Sequence, residues 1–432
     1  MKKLLFSWNE LKATFWLVPV LILISSIFVA ISLVYIDSLV TISHNRITEL
    51  FFVTSSNSAR SILSTISGAM IGVAGTVFSI TLVALTLASS QFGPRLIRNF
   101  MYVRLNQIVL GSYIATYMYC LLVLNTIRDY DGYTFIPSIS IFVAILAALI
   151  NILLLIIFIH RIAVSIQADH IITEISDFII NQVEEQFKKS TGEELEIEES
   201  FDLDLLKSKY HHITPLQSPR NGYLQYLDTD SMVKIISESD MMLEMNYRSG
   251  DHLVKNMVIG LLFSNTKIEN DTTEDLLDNI VIGKGKTAQQ DIEYSIQQMV
   301  EIAVRALSTG INDPFTAISC IDNLTSVICY LLEFRFPSKY NFDGEGSLRL
   351  VANSVDFERT MDTAFNQIRQ NSARSTSVII SLIKAMNTIR KMAKNENQKT
   401  VVTKHANMIK NLAKEMITEP NDLKAFNASY KQ

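Results

Sequence analysis

Apolar and polar positions divide the chain into two parts with different rhythms. The first carries four long apolar runs, at about 15–36, 62–88, 108–124 and 135–159, with no Asp, Glu or Lys inside any of them. Crossing a ~30 Å hydrocarbon core takes about 17–25 apolar residues, so each run predicts a membrane-spanning helix. Beyond 160 the apolar positions recur at helical spacing, as in Ile172, Ile175, Ile179 and Val183, with Asp169, Glu174, Asp177 and Glu184 elsewhere on the helix. This stripe predicts a stalk helix leaving the bilayer and packing on its own domain or on a sister subunit. An acidic linker follows, so 165–210 is read as stalk plus linker.

The period then shortens. Gly222–Asp228 and Met241–Tyr247 read as strands separated by a short helix capped near Thr229–Ser231, Arg248, Ser249, Gly250 and Asp251 mark a turn, and His252–Lys255 and Val258–Phe263 read as further short strands. These define a small β-module at 211–268. The spacing from Gly250 is loosely similar to the barrel of biotinyl and lipoyl carrier domains. Glu244, Met245 and Asn246 lack the lysine that a carrier presents, so a barrel-like packing module is expected. From 269 to 432 the pattern predicts a helical domain, including one long helix from Leu348. The fold class is therefore mainly α: a polytopic membrane protein with four spans over 1–164, plus a cytosolic α+β domain.

Composition agrees. Hydrophobic residues make up 48% of the 432 positions and charged residues only 19%. A net charge of −5 gives no basic face, so nucleic acid is not expected as a partner. The three cysteines lack C-x-x-C spacing, and neither a metal nor another cofactor is indicated. Lysines and arginines bias both termini to the cytoplasmic side. Lys2, Lys3 and Lys12 precede the first run, Arg95, Arg98 and Arg104 lie between the second and third, and Arg161 follows the fourth. The expected location is the plasma membrane, with the lipid bilayer as partner and a homo-oligomer as assembly.

The second run has one unusual face. Ser61, Thr65, Gly68, Gly72, Gly75, Ser79, Val83 and Thr86 follow one another at steps of three or four, so they share one side of a helix, on which Thr65, Gly68, Gly72, Gly75, Ser79 and Thr86 are the small or hydroxyl-bearing candidates. Small residues in that arrangement either admit another helix at close range or flank a wet path. Gln91, Arg95 and Arg98 follow it, either as an interfacial helix or as the cytoplasmic mouth of a path. An oligomeric ion conduit is the first functional expectation. A membrane-anchored receptor or scaffold is the second.

In the second half, Gly283, Lys284, Gly285, Lys286 and Thr287 fall short of the phosphate-loop signature, because Ile280 stands where glycine is required. Asp291, Arg305, Ser308, Asn312, Asp313 and Pro314 mark a helix expected to end at Gly310, a sharp turn, and a new helix capped by Asp313. Arg305, Asn312 and Asp313 could close into a polar knot. A hydrolase built on Asp291, Asn312 and Asp313 ranks last, and no catalytic residue is assigned.

The run from Ala306 through Leu307, Ser308, Gly310, Asn312, Asp313, Pro314, Phe315 and Thr316 to Ala317 resembles the signature of a bacterial family of predicted membrane proteins, domain-of-unknown-function family 2254. Ser89, Ser90, Gln91, Phe92, Pro94 and Arg95 are similar to a second element of that family, and Gln290–Asp291 to a third. Asn366, Gln367, Ile368, Arg369 and Gln370 are more loosely similar. Lys286–Thr287 and Thr309 depart from its usual Arg-Thr and proline. The resemblance implies a membrane location and no established chemistry.

Overall fold

The computed structural model describes residues 14, 16–40, 55–93, 104–130, 133–165, 167–189, 202–268 and 270–430. The chain divides into two compact units at His170/Ile171.

In the first unit, four helices follow the apolar runs: α1 (Leu17–Leu39), α2 (Ser56–Phe92), α3 (Arg104–Thr126) and α4 (Ser138–Ser165). The hairpin β1 (Arg128–Tyr130) and β2 (Tyr133–Phe135) joins α3 to α4. The runs predicted the helices but underestimated them. At about 1.5 Å per residue, the 37 residues of α2 extend roughly 55 Å, well past a ~30 Å hydrocarbon core. The middle helix α3 packs against the other three. Gly111 permits one of these contacts, because a Cβ there would lie 2.8 Å from the backbone of Pro19 in α1.

Among the polar groups that tie the bundle, two sets are central. The carboxylate of Asp37 at the end of α1 accepts from the amides of Ile139 and Ser140, both at 2.9 Å, and so caps α4. Deeper in, fully buried Asn151 accepts from Ser112 Oγ at 2.6 Å and donates to Thr116 Oγ1 at 2.8 Å. Tyr113 donates to its backbone carbonyl at 2.7 Å.

The second unit begins in α5 (Ala168–Gln186), a helix separate from α4, where the sequence predicted continuity. Ile171, Ile172, Ile175, Ile179 and Val183 are buried, so the expected stripe is covered within one chain. β3 (Lys188–Lys189) and the short α6 (Leu203–Lys207) lead into the sheet region, in which β4 (His212–Gln217), β5 (Gly222–Leu227), α7 (Thr229–Glu238), β6 (Met242–Met245), β7 (His252–Leu253), β8 (Val258–Ser264), α8 (Asn270–Asp278) and β9 (Ile280–Gly283) follow in order. Next come α9 (Ile292–Ala306), α10 (Pro314–Leu331), β10 (Phe334–Arg335), β11 (Tyr340–Phe342) and β12 (Leu348–Ala352). The chain ends in α11 (Phe357–Asn371), α12 (Thr376–Met392), α13 (Glu396–Met416) and α14 (Pro420–Ser429).

Two boundaries are corrected. The sheet does not stop at 268, and Leu348 begins a strand rather than a long helix. Five strands run in the order β11-β12-β6-β8-β4, with β12 and β6 parallel, and three more run β7-β5-β9. One apolar core, including Leu224, Leu243, Leu262, Ile282 and Leu350, is shared by both sheets in place of the expected barrel-like module. Among the described residues five helices are long and apolar enough to cross a membrane, and α10 is the fifth. It packs against α9 and α12, with Cys320, Ile321, Leu324, Val327 and Ile328 fully covered.

Candidate functional site

The glycine-and-hydroxyl side of α2 is open. Thr65, Gly68, Gly72, Gly75, Ser79 and Thr86 are all exposed in the single chain, and a Cβ on any of the three glycines would meet nothing within 4 Å. The opposite side, with Ala59, Leu63, Met70, Ala74 and Val77, is buried against the chain's own helices. Among the described residues these glycines therefore pack against no other helix. Gly111, to which no pattern in the sequence points, does pack against a neighbouring helix.

The hydroxyls on this face are committed. Thr65, Ser79 and Thr86 each donate to the carbonyl four residues earlier, at 2.7, 2.9 and 2.8 Å. That bond satisfies the proton within the helix and turns oxygen lone pairs outward. The face is thus an acceptor surface without charge. Gln91 is exposed near the end of α2, whereas Arg95 and Arg98, the rest of the expected mouth, lie outside the described residues.

The second candidate is the start of α9. Asp291 is 4% exposed and caps the helix through the amide of Tyr294 at 3.0 Å. Burial pushes its carboxyl above the usual range, against the Tyr294 amide and the charges of Lys286 and Arg248. Gly250 lies against this carboxylate: its φ is +95°, and a Cβ there would come 2.9 Å from Asp291 Cγ and closer still to one oxygen. Gln290 exchanges bonds with the backbone of Leu227 at 2.9 and 3.0 Å and accepts from Ser249. Arg248 pairs with buried Glu293 at 2.5 Å. The arrangement locks the 248–251 turn and the 283–290 loop onto the helix. Lys286 and Thr287 precede the helix start at Ile292 by several residues, so the loop does not open a helix as a phosphate loop would.

The signature corner departs from expectation in detail. α9 ends at Ala306 rather than Gly310, and the left-handed residue in the turn is Asn312, with φ +50°. Ser308 is exposed, and its carbonyl accepts from the amide of Asn312 at 2.9 Å. Asp313 caps α10, accepting from Phe315 and Thr316 amides at 3.1 Å and from Thr316 Oγ1 at 2.6 Å, with Pro314 in the first turn. The Thr316 hydroxyl, followed by the two amides, holds its carboxyl below the usual range. Asn312 is exposed, so it does not close a buried knot with Asp313 and half-buried Arg305. Asp291 stands at the other end of α9, and 15 residues at ~1.5 Å each put about 22 Å between them. The three residues of the hydrolase idea are not brought together. The corner instead shows an apolar tip, with Ile311 46% and Phe315 81% exposed.

The family described as "Predicted membrane protein (DUF2254)" matches residues 12–388. An uncharacterized protein of Mycobacterium tuberculosis and one of Mycobacterium bovis are each 28% identical over 385 residues, covering 88% of this chain and 73% of theirs. No solved structure matches.

Proposed function

The chain belongs to the DUF2254 family of predicted membrane proteins, and from that premise we propose that it is an oligomeric ion conduit of the plasma membrane with a cytosolic regulatory domain. In this reading α1 to α4 are the four spans, both termini are cytoplasmic, and the chain is not an enzyme. One observation carries it: the open face of α2, where Gly68, Gly72 and Gly75 have no neighbour while the other side of the helix is packed. Glycines and committed hydroxyls gain little from lipid tails but suit a second copy or a column of water. Copies of α2 around an axis would put these residues on the wall. Acceptor oxygens without a cationic side chain favour water and cations on the described stretch over anions.

The test is purification in nanodiscs, determination of subunit number, and planar-bilayer recording. A ring carrying current is expected, and Gly72→Cys or Ser79→Cys should make that current sensitive to a water-soluble thiol reagent. A pure, closed oligomer that passes no current under varied voltage and tension would refute it.

A membrane-anchored scaffold is the second reading, favoured by the apolar tip of the signature corner. Unchanged conductance but loss of a cytosolic binding partner in Phe315→Ser would select it.

A further inference from the structure

The helices of the first unit leave a cavity of about 420 Å³ between α1, α3 and α4. Among the described residues none of α2 lines it, so it is separate from the open glycine face. Leu21 and Val29 on its α1 side are exposed, so it opens on the outside of the bundle, where a membrane protein meets lipid. Ile22, Val143 and Ala147 give it apolar walls, and no charged side chain among the described residues lines it. Apolar walls with a few fixed polar groups are the makings of a small-ligand site, and this volume lies toward the lower end of the usual ~300–1,000 Å³.

The polar groups of the cavity are fixed, and one is incomplete. Ser26 donates to the Leu23 carbonyl at 2.9 Å, and Ser112 donates to Asn151 Oδ1 at 2.6 Å. Tyr119 contributes its ring, since its hydroxyl is given to the Ser140 carbonyl at 2.9 Å. Thr116 is different. It is 6% exposed, its Oγ1 accepts from Asn151 Nδ2 at 2.8 Å, and its own proton reaches no acceptor among the described residues. Thr65, Thr76, Thr81 and Thr86 of α2 each give theirs to the carbonyl four residues earlier, an outlet that Thr116 does not use. A hydroxyl donor left unmet in an apolar wall is costly, and an oxygen acceptor lodged in the cavity removes that cost.

The setting selects the acceptor. Thr116 lies near the middle of α3, a depth at which a charged group is expensive. A lipid tail brings no acceptor, and lipid ester oxygens stay at the headgroup level, outside the hydrocarbon core. A neutral carbonyl compound dissolved in the membrane meets both conditions, and the Tyr119 ring suits a flat, conjugated one.

We propose that this cavity binds an uncharged, lipid-soluble carbonyl compound of ring type, a ketone or quinone, whose oxygen accepts from Thr116. The site requires α1, α3 and α4 to lie in the bilayer and stands whether or not α2 lines a conduit.

The experiment uses the full chain in nanodiscs and benzophenone, a neutral diaryl ketone that bonds to neighbouring C–H groups on irradiation, with adducts mapped by peptide mass spectrometry. Saturable labelling is expected on the segments around Ser25 and Thr116, with competition by a short-chain benzoquinone. Thr116→Val keeps the shape and removes the donor, so binding should weaken about tenfold, whereas Thr116→Ser should retain it. Ser25→Phe, at an exposed position on the cavity wall, should block labelling, and it serves if Thr116→Val fails to fold. Labelling spread evenly over the lipid-facing helices would overturn the proposal, as would binding unchanged by Thr116→Val or by Ser25→Phe. Full competition by hexadecane, which has no oxygen, would show a niche for acyl chains and overturn the carbonyl contact.

Discussion

Replacing Gly250 by alanine tests whether the turn and the start of α9 form one unit. Two costs add. At φ +95° a Cβ-bearing residue costs about 1–2 kcal/mol in backbone strain. The new methyl also falls on the carboxylate of Asp291, which is 4% exposed and has no room to retreat without leaving the Tyr294 amide. Losing that cap costs about another 1 kcal/mol, so the total is roughly 2–3 kcal/mol. Gly346→Ala is the control, because its φ is +81° but its Cβ would meet nothing within 4 Å, leaving backbone strain alone. Cys320, fully buried in α10, supplies the readout: its labelling in the full chain under increasing urea, resolved by peptide mass spectrometry, follows opening of this unit. In an Asp291→Ala background the penalty of Gly250→Ala should fall to that of Gly346→Ala, a coupling of about 1 kcal/mol. Equal penalties in both backgrounds would refute the contact as the cause.

Two further outcomes follow from the caps and the buried amide. Asp313→Ala should cost about 1–2 kcal/mol near neutrality. The folded carboxyl lies below its ordinary value, so its stabilisation is full above the unfolded pKa of about 3.9 and disappears as pH falls through the folded one. Urea titrations at pH 7 and at pH 3 check this, and a penalty that persists undiminished in acid would contradict it. Asn151→Leu removes the partners of Ser112 and Thr116 but keeps the carbonyl that accepts from Tyr113. The membrane unit should lose roughly 0.6–1.7 kcal/mol, seen as faster labelling of buried Cys120, and unchanged labelling would sink the idea.

The sequence spoke most clearly where one physical requirement dominates. Uncharged runs must be helices in lipid, and Asp313–Pro314 could only open a helix. It was silent where the requirement is non-local. Leu348–Ala352 read as helix because nothing in those five residues reveals Met242–Met245 as their neighbour. Propensity points to Gly310 for the turn, yet Asn312 takes the left-handed conformation, which asparagine also tolerates. The open face of α2 was legible as a stripe of small residues, but its lack of a partner within the chain was not. Asn151 leaves no signal in the sequence because one amide hardly alters an apolar run, and Gly111 leaves none because its effect depends on where Pro19 lies.

The parallel pairing of β12 with β6 has a consequence for biosynthesis. About 100 residues separate Met245 from Leu348, so the flank of β6 that β12 will occupy is translated long before its mate. At ~5–20 residues per second the nascent sheet waits roughly 5–20 s with that flank uncovered. A ribosome-bound chain halted before 348 should therefore recruit chaperones, and one released past 352 should not.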